Sequence, residues 1–252
     1  MASLRSHFHK SGSWLFAWRS YLPLALFPVV LVALRGYSYP YDSPALALAW
    51  EVACFAVGVA GAAIRAYTIG YAPPGSSGRT TDSPSASRLN TTGIYSLVRH
   101  PLYLGNFLMW LSIVLLTRHW WAVAAVSLAF WLYYERIMYA EEEFLRSHFG
   151  QSFDDWAGAT PAIWLFGTGW RRRWKPSPVV FSGKAVLLRE PSPWFAFIAS
   201  FTLVEAAAEW FATGRPLVHP VWVFTLATVG GIYLLFQLRP IRSRLQRRDS
   251  TQ

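Results

Sequence analysis

Residues 89–106 read LNTTGIYSLVRHPLYLGN, and the reading of this stretch decides the reading of the chain. A polar loop rich in Gly, Pro and Ser runs into it, and a strongly apolar segment runs out of it. Tyr95, Arg99, His100, Pro101 and Tyr103 stand at the junction. Proline is well placed in the first turn of a helix, where its missing N–H costs nothing, so a helix is expected to begin at Pro101 with Arg99 and His100 just ahead of it. The free N–H groups and positive dipole end of such a terminus suit an anionic group such as a carboxylate. Arg99 could add a bidentate hold, and Gly105 would admit another backbone or a ligand. Taken alone, the same residues read first as a snorkelling arginine and a solvated histidine at a membrane surface.

Composition favours the membrane. Of the 252 residues 54% are hydrophobic and only 14% charged, where a soluble domain carries nearer a quarter charged. The 14 Trp, 12 Tyr and 17 Phe cluster at the ends of apolar runs, as aromatic belts do. A net charge of +10 raises nucleic acid as a partner, but the basic residues gather between and after apolar segments, so no nucleic-acid role is expected. The single cysteine, Cys54, lies inside an apolar run, which leaves no intrachain disulfide and no cysteine-based metal cluster. No metal ligand set is read from the sequence.

The expected fold is all-α: a polytopic membrane helical bundle with spans at roughly 14–35, 46–69, 102–117, 119–139, 194–213 and 219–238. The first is read as a retained span rather than a cleaved signal. Gly58, Gly61, Ala62 and Ala63 give the second a small-residue face suited to close helix packing, and Arg65 is expected to snorkel from its end. Only Arg118 and His119 separate the third and fourth spans, which makes them an antiparallel hairpin. Of the 23 Lys and Arg, all but Arg35, Arg118 and Arg215 fall on one side of this topology. The positive-inside rule then puts both termini and the 89–106 stretch in the cytoplasm, as part of a multi-pass membrane protein. The segment GYAPPGSSGRTTDSPSASRLNTTG reads as loop, and YYERIMYAEEEFLRSHFG as a helical continuation of the fourth span ended by Gly150. The following stretch, with Trp156, Trp164, Trp170 and Trp174, is expected to lie on the membrane surface.

Glu141, Glu142 and Glu143 sit on that continuation near Arg136. On their own they read as a solvated face; carboxylates there could also bind ribose hydroxyls or a cationic group. The two constellations together resemble the isoprenylcysteine carboxyl methyltransferase family and its phospholipid methyltransferase relatives. Gly93, Tyr95, Arg99, His100, Pro101, Tyr103 and Gly105 meet the first family pattern; Glu141, Glu142, Leu145, Phe149 and Gly150 meet the second, with Pro161 downstream. The resemblance covers roughly 60–166, taken as a methyltransferase core. It sits within a single membrane domain over 1–252, of which 167–252 supplies an interfacial segment, two further spans and a basic tail.

The resemblance implies an enzyme that uses S-adenosylmethionine without a Rossmann domain, and the chain offers no strand–GxGxxG–helix unit. It implies a cytoplasmic-side cofactor pocket and a lipid or lipid-anchored acceptor that enters from the bilayer. Tyr95, His100, Pro101, Tyr103, Gly105 and Glu142 are the implied cofactor-binding residues. Arg99 and Glu141 lie either there or at the acceptor, as the catalytic candidates. The chain departs from the family in its long Ser/Thr-rich loop and in one extra residue between Arg136 and Glu141. A sterol-reductase-like enzyme shares a related fold and Arg-His motif, but carries Asn where Leu102 stands. A transporter or partner subunit would show polar residues in mid-span, whereas spans three and four are almost wholly apolar there.

Overall fold

The structure, a computed structural model, describes residues 4–19, 22–73, 88–163 and 169–249. Residues 74–87 of the expected loop and Trp164 of the expected surface segment lie outside these. The chain forms helices α1 (Leu4–Trp18), α2 (Phe27–Leu34), α3 (Pro44–Gly70), α4 (Pro101–Leu115) and α5 (Trp120–Phe149). They are followed by α6 (Gln151–Ala159), α7 (Trp170–Arg173), α8 (Gly183–Arg189), α9 (Pro191–Thr213) and α10 (Pro220–Asp249). The fold is all-helical as expected: among the described residues there is no strand, only an isolated bridge between Gly93 and Lys175.

Local chemistry sets the helix ends. Ser43 caps α3 by accepting the Leu46 N–H, with Pro44 in the first turn. Pro101 opens α4 and Pro191 opens α9. Gly150, at φ +53°, ends α5 and turns the chain into α6.

Two expectations change. The first span is broken: α1 ends at Trp18, a 3-10 turn covers Leu22–Leu26, and α2 restarts with Pro28 in its first turn. Proline cannot continue a helix from the preceding turn, and two prolines within this span interrupt it. The α4–α5 link runs from 116 to 119, two residues longer than expected, because α4 already stops at Leu115. Arg118 adopts a positive φ of 57° there; it donates to Ser38 O at 2.7 Å and to the Tyr37 hydroxyl, which fixes the turn. The count of six is supported only in part. Pro44–Gly70 and Pro191–Thr213 are long and apolar enough to cross a membrane, while Leu24–Leu34, Pro101–Leu115 and Pro220–Phe236 are shorter apolar helices. The 15 residues of α4 rise roughly 22 Å, short of a hydrocarbon core of about 30 Å.

Helices α3 and α4 run antiparallel. Trp50 Nε1 donates to Leu115 O at 2.9 Å at one end of the pair, and Arg65 Nη1 donates to Asn106 Oδ1 at 2.6 Å near the other. Between them the small-residue face works as expected: a Cβ on Gly61 would lie 2.5 Å from Gly105 O and 2.9 Å from Leu108 Cβ. Replacing Gly61 with alanine is therefore expected to be destabilising. Overpacking against a backbone carbonyl costs about 1–3 kcal/mol, and alanine's helix preference returns up to about 1 kcal/mol. A lowered melting temperature in detergent checks this; an unchanged one would mean that the helices part freely.

The core joins all of these elements. Leu34, Met109, Val126, Phe201 and Trp222, from α2, α4, α5, α9 and α10, pack in one buried cluster. Outside it, Leu128, Leu132, Leu203, Phe224 and Leu235 lie exposed, an apolar surface suited to lipid.

Candidate active site

The site grows from the turn that precedes α4. Gly93 takes φ +59° and ψ −137°, a conformation that side-chain-bearing residues avoid. Its N–H donates to Lys175 O at 2.8 Å, and Lys175 N–H donates to Ser96 Oγ at 3.0 Å, so the segment before α8 holds the turn from outside. The Arg99 and His100 N–H groups donate to Pro161 O and Ala162 O, each at 2.9 Å. Trp156 Nε1, on α6, donates to Tyr95 O at 2.9 Å. Trp156, expected at the membrane surface, brackets the turn, and the N–H groups of Arg99 and His100, just ahead of α4, are taken up by the segment that follows α6.

The glutamates arrive from α5. Arg99 Nε and His100 Nε2 both meet Glu142 Oε1 at 2.9 Å, and His100 Nδ1 lies 3.6 Å from Glu141 Oε2. An imidazole with a carboxylate at each nitrogen is best satisfied as imidazolium, donating from both. Burial pushes His100 down, but the hydrogen bonds and charges of Glu141 and Glu142 outweigh it, and its pKa is raised. Burial likewise pushes Glu142 up, but His100 and Arg99 prevail and its pKa is lowered. Burial, reinforced by the Glu141 charge, raises the Tyr95 phenol, which stays protonated. Tyr103 stacks beside His100, ring centroids 5.6 Å apart and planes at 15°, within hydrogen-bonding reach of Glu141, and its other neighbour is Tyr134 at 4.7 Å.

The structure brings Tyr95, Arg99, His100, Pro101, Tyr103, Glu141 and Glu142 together around one turn, with different tasks. Arg99 also donates from Nη1 to Ala157 O at 2.6 Å and to Thr160 O at 2.7 Å, so it ties α4, α5 and α6 together rather than reaching for an acceptor. Gly105 lies against Gly61 and Arg65, where it serves helix approach. Arg136 faces away: it donates to Ser11 Oγ at 3.2 Å and covers the Phe8 ring, both on α1.

Sequence reasoning missed a second network. Arg65 does not snorkel; its Nε and Nη2 donate to Glu190 Oε2 and Oε1 at 2.9 and 2.7 Å, and Glu190 is wholly buried. Its Nη1 reaches Asn106, whose Nδ2 donates to the Tyr134 hydroxyl at 3.2 Å. Glu190 precedes Pro191 at the start of α9, so its position read as a helix start and nothing linked it to Arg65.

Known proteins resemble this sequence. The phospholipid methyltransferase family matches residues 52–152. A nickel-cobalt-cadmium resistance protein of Alcaligenes xylosoxydans xylosoxydans is 31% identical over 126 residues, 50% of each chain. A cobalt-zinc-cadmium resistance protein of Cupriavidus metallidurans is 33% identical over 123 residues, 49% of this chain and 48% of that one. The protein-S-isoprenylcysteine O-methyltransferase of Schizosaccharomyces pombe is 34% identical over 74 residues, 29% of this chain and 31% of the enzyme. The chain thus spans about half the length of the two bacterial relatives and less of the yeast enzyme. No solved structure matches it.

The matches support a methyltransferase, and the two long apolar helices suit a membrane protein. Over residues 52–152 the chain is similar to the phospholipid methyltransferase family, and over a shorter stretch to the isoprenylcysteine O-methyltransferases.

The methyl donor such a family implies carries a sulfonium, an ammonium, a carboxylate and ribose hydroxyls. The Glu141 carboxylate, beside the Tyr103 and Tyr134 rings, fits its cationic and hydroxyl groups.

Proposed function

We propose that this protein transfers a methyl group from S-adenosylmethionine to a lipid or lipid-anchored acceptor that arrives from the bilayer. The observation that carries the reading is the meeting of Arg99 and His100 on one oxygen of Glu142, which joins the two family motifs in space. The bacterial relatives' names concern metal resistance and state no reaction, so they do not enter it.

When bound, the cofactor supplies an electrophilic methyl group. Glu141, held by a histidine and facing Tyr103, is the carboxylate best placed to accept from the cofactor's ammonium or ribose hydroxyls. Glu142 is neutralised by Arg99 and His100, so its task is to lock the turn. The ring of Tyr103 offers its face to positive charge and, with Tyr134 packed on it, excludes water from it. A carboxylate or phosphate acceptor needs only alignment, while an ammonium acceptor needs a base, for which Glu141 is the candidate. The basic loops support a cytoplasmic position for this end of the bundle and for both termini.

Purified protein in lipid extract with methyl-labelled cofactor is expected to put label into a lipid or lipidated peptide. The cofactor should raise the melting temperature of the wild type and not that of His100→Ala. An unlabelled extract together with no cofactor binding would overturn the reading; unchanged affinity in His100→Ala would move the site elsewhere.

A further inference from the structure

At the other end of α3 the bundle holds a second set of carboxylates, in a region that the methyl-transfer reading does not use. Glu51 from α3 and Glu205 and Glu209 from α9 present oxygens within 4.8 Å of one another. Glu51 and Glu205 are 5% and 2% exposed, and Glu209 is half-buried, which leaves a way in from the surface.

A neutral donor holds one oxygen of each glutamate. Trp222 Nε1 donates to Glu51 Oε2 at 2.8 Å, Tyr39 OH to Glu209 Oε2 at 2.7 Å, and the His219 N–H to Glu205 Oε1 at 3.2 Å. Glu205 Oε2 has no hydrogen-bond partner among the described residues. Ion pairs elsewhere in the bundle engage Arg65, Arg99, His100 and Arg146. Arg118, near enough to act on Glu51 through its charge, gives its hydrogen bonds to Tyr37 and Ser38.

Three carboxylates gathered in an apolar setting need positive charge among them, and an idle buried carboxylate oxygen is costly. Among the described residues each glutamate has one oxygen held by a neutral donor, and none of the three makes an ion pair. We propose that Glu51, Glu205 and Glu209 bind a divalent cation that prefers oxygen ligands, such as Mn²⁺ or Ca²⁺. Ligand distances of about 2.1–2.5 Å put oxygens on one ion about 3–5 Å apart, which matches the observed spacing. The absence of sulfur from the set argues against a soft ion. Such an ion would clamp α3 to α9, and through Trp222 and His219 to the start of α10.

The test is an electron paramagnetic resonance titration of the chelator-treated full-length protein in detergent with Mn²⁺. One saturable Mn²⁺ per chain is expected, displaced by Ca²⁺ and accompanied by a higher melting temperature. Glu205→Gln and Glu209→Gln should each weaken binding at least about tenfold, and Glu141→Gln should leave it unchanged. Glu209 is half-buried, so its variant carries the test even if Glu205→Gln fails to fold. Absence of saturable binding, equal affinity in the glutamine variants, or loss of binding in Glu141→Gln instead would each overturn the proposal.

Discussion

Replacing Glu142 with alanine is expected to cost about 3 kcal/mol of stability and about 100-fold in methyl transfer. The first figure follows from breaking a mostly buried ion pair by removing one partner, which costs about 3–5 kcal/mol when burial is complete. Glu142 and Arg99 are 19% and 17% exposed, so the lower end applies. The second follows from geometry: Arg99 and His100 would lose their shared anchor, and a misplacement of about 1 Å in a catalytic constellation costs about 100-fold. The pH dependence has a fixed sign. Glu142 has a lowered pKa, so its contribution is full above the ordinary value of 4.5 and is lost as pH falls through the lowered value. His100 has a raised pKa, so its contribution is full below the ordinary value of 6.5 and is lost as pH rises through the raised value. The stability gap between wild type and variant should therefore be widest between 4.5 and 6.5. It should shrink in stronger acid, and shrink only in part in alkali because Arg99 keeps its charge. Melting temperatures across pH check this, and a gap independent of pH would remove His100 from the pair.

Part of this was legible in the chain itself. Pro101 and Gly150 act through backbone restrictions that belong to the residue type, so the start of α4 and the end of α5 could be read directly. The Gly58 and Gly61 face was readable for the same reason: a missing Cβ means close approach whatever the partner. The meeting of Arg99 with Glu142 followed from two family patterns across a tight hairpin. Partners distant in sequence were not legible. Arg65 near a helix end looks like any snorkelling arginine until the fold brings Glu190 to it. Glu51, Glu205 and Glu209 each looked like an isolated acid in an apolar run. Arg99 shows the opposite error, since a cation beside a helix start suggested a ligand while the nearby carbonyls of Ala157 and Thr160 had already claimed it.

The largest loss of stability is expected from Glu190→Gln. Glu190 is wholly buried and holds Arg65 bidentately, and leaving the guanidinium without its countercharge should cost about 3–5 kcal/mol. The double variant Arg65→Met with Glu190→Leu replaces both charges by apolar groups of similar length and should recover most of that loss, since such replacements are often neutral. Activity should behave differently. Arg65 also orients Asn106, Asn106 holds the Tyr134 hydroxyl, and Tyr134 packs on Tyr103 beside His100. The double variant keeps the fold but loses that orientation, so its cofactor affinity should stay about tenfold weaker than wild type, the weight of roughly one hydrogen bond to a charged group. Melting temperature and cofactor titration on the same preparations separate the two effects. If the double variant regains stability and affinity together, the Arg65 network is only a brace. If stability returns and affinity does not, Glu190, outside the family-matched segment, helps to set the site across the bundle.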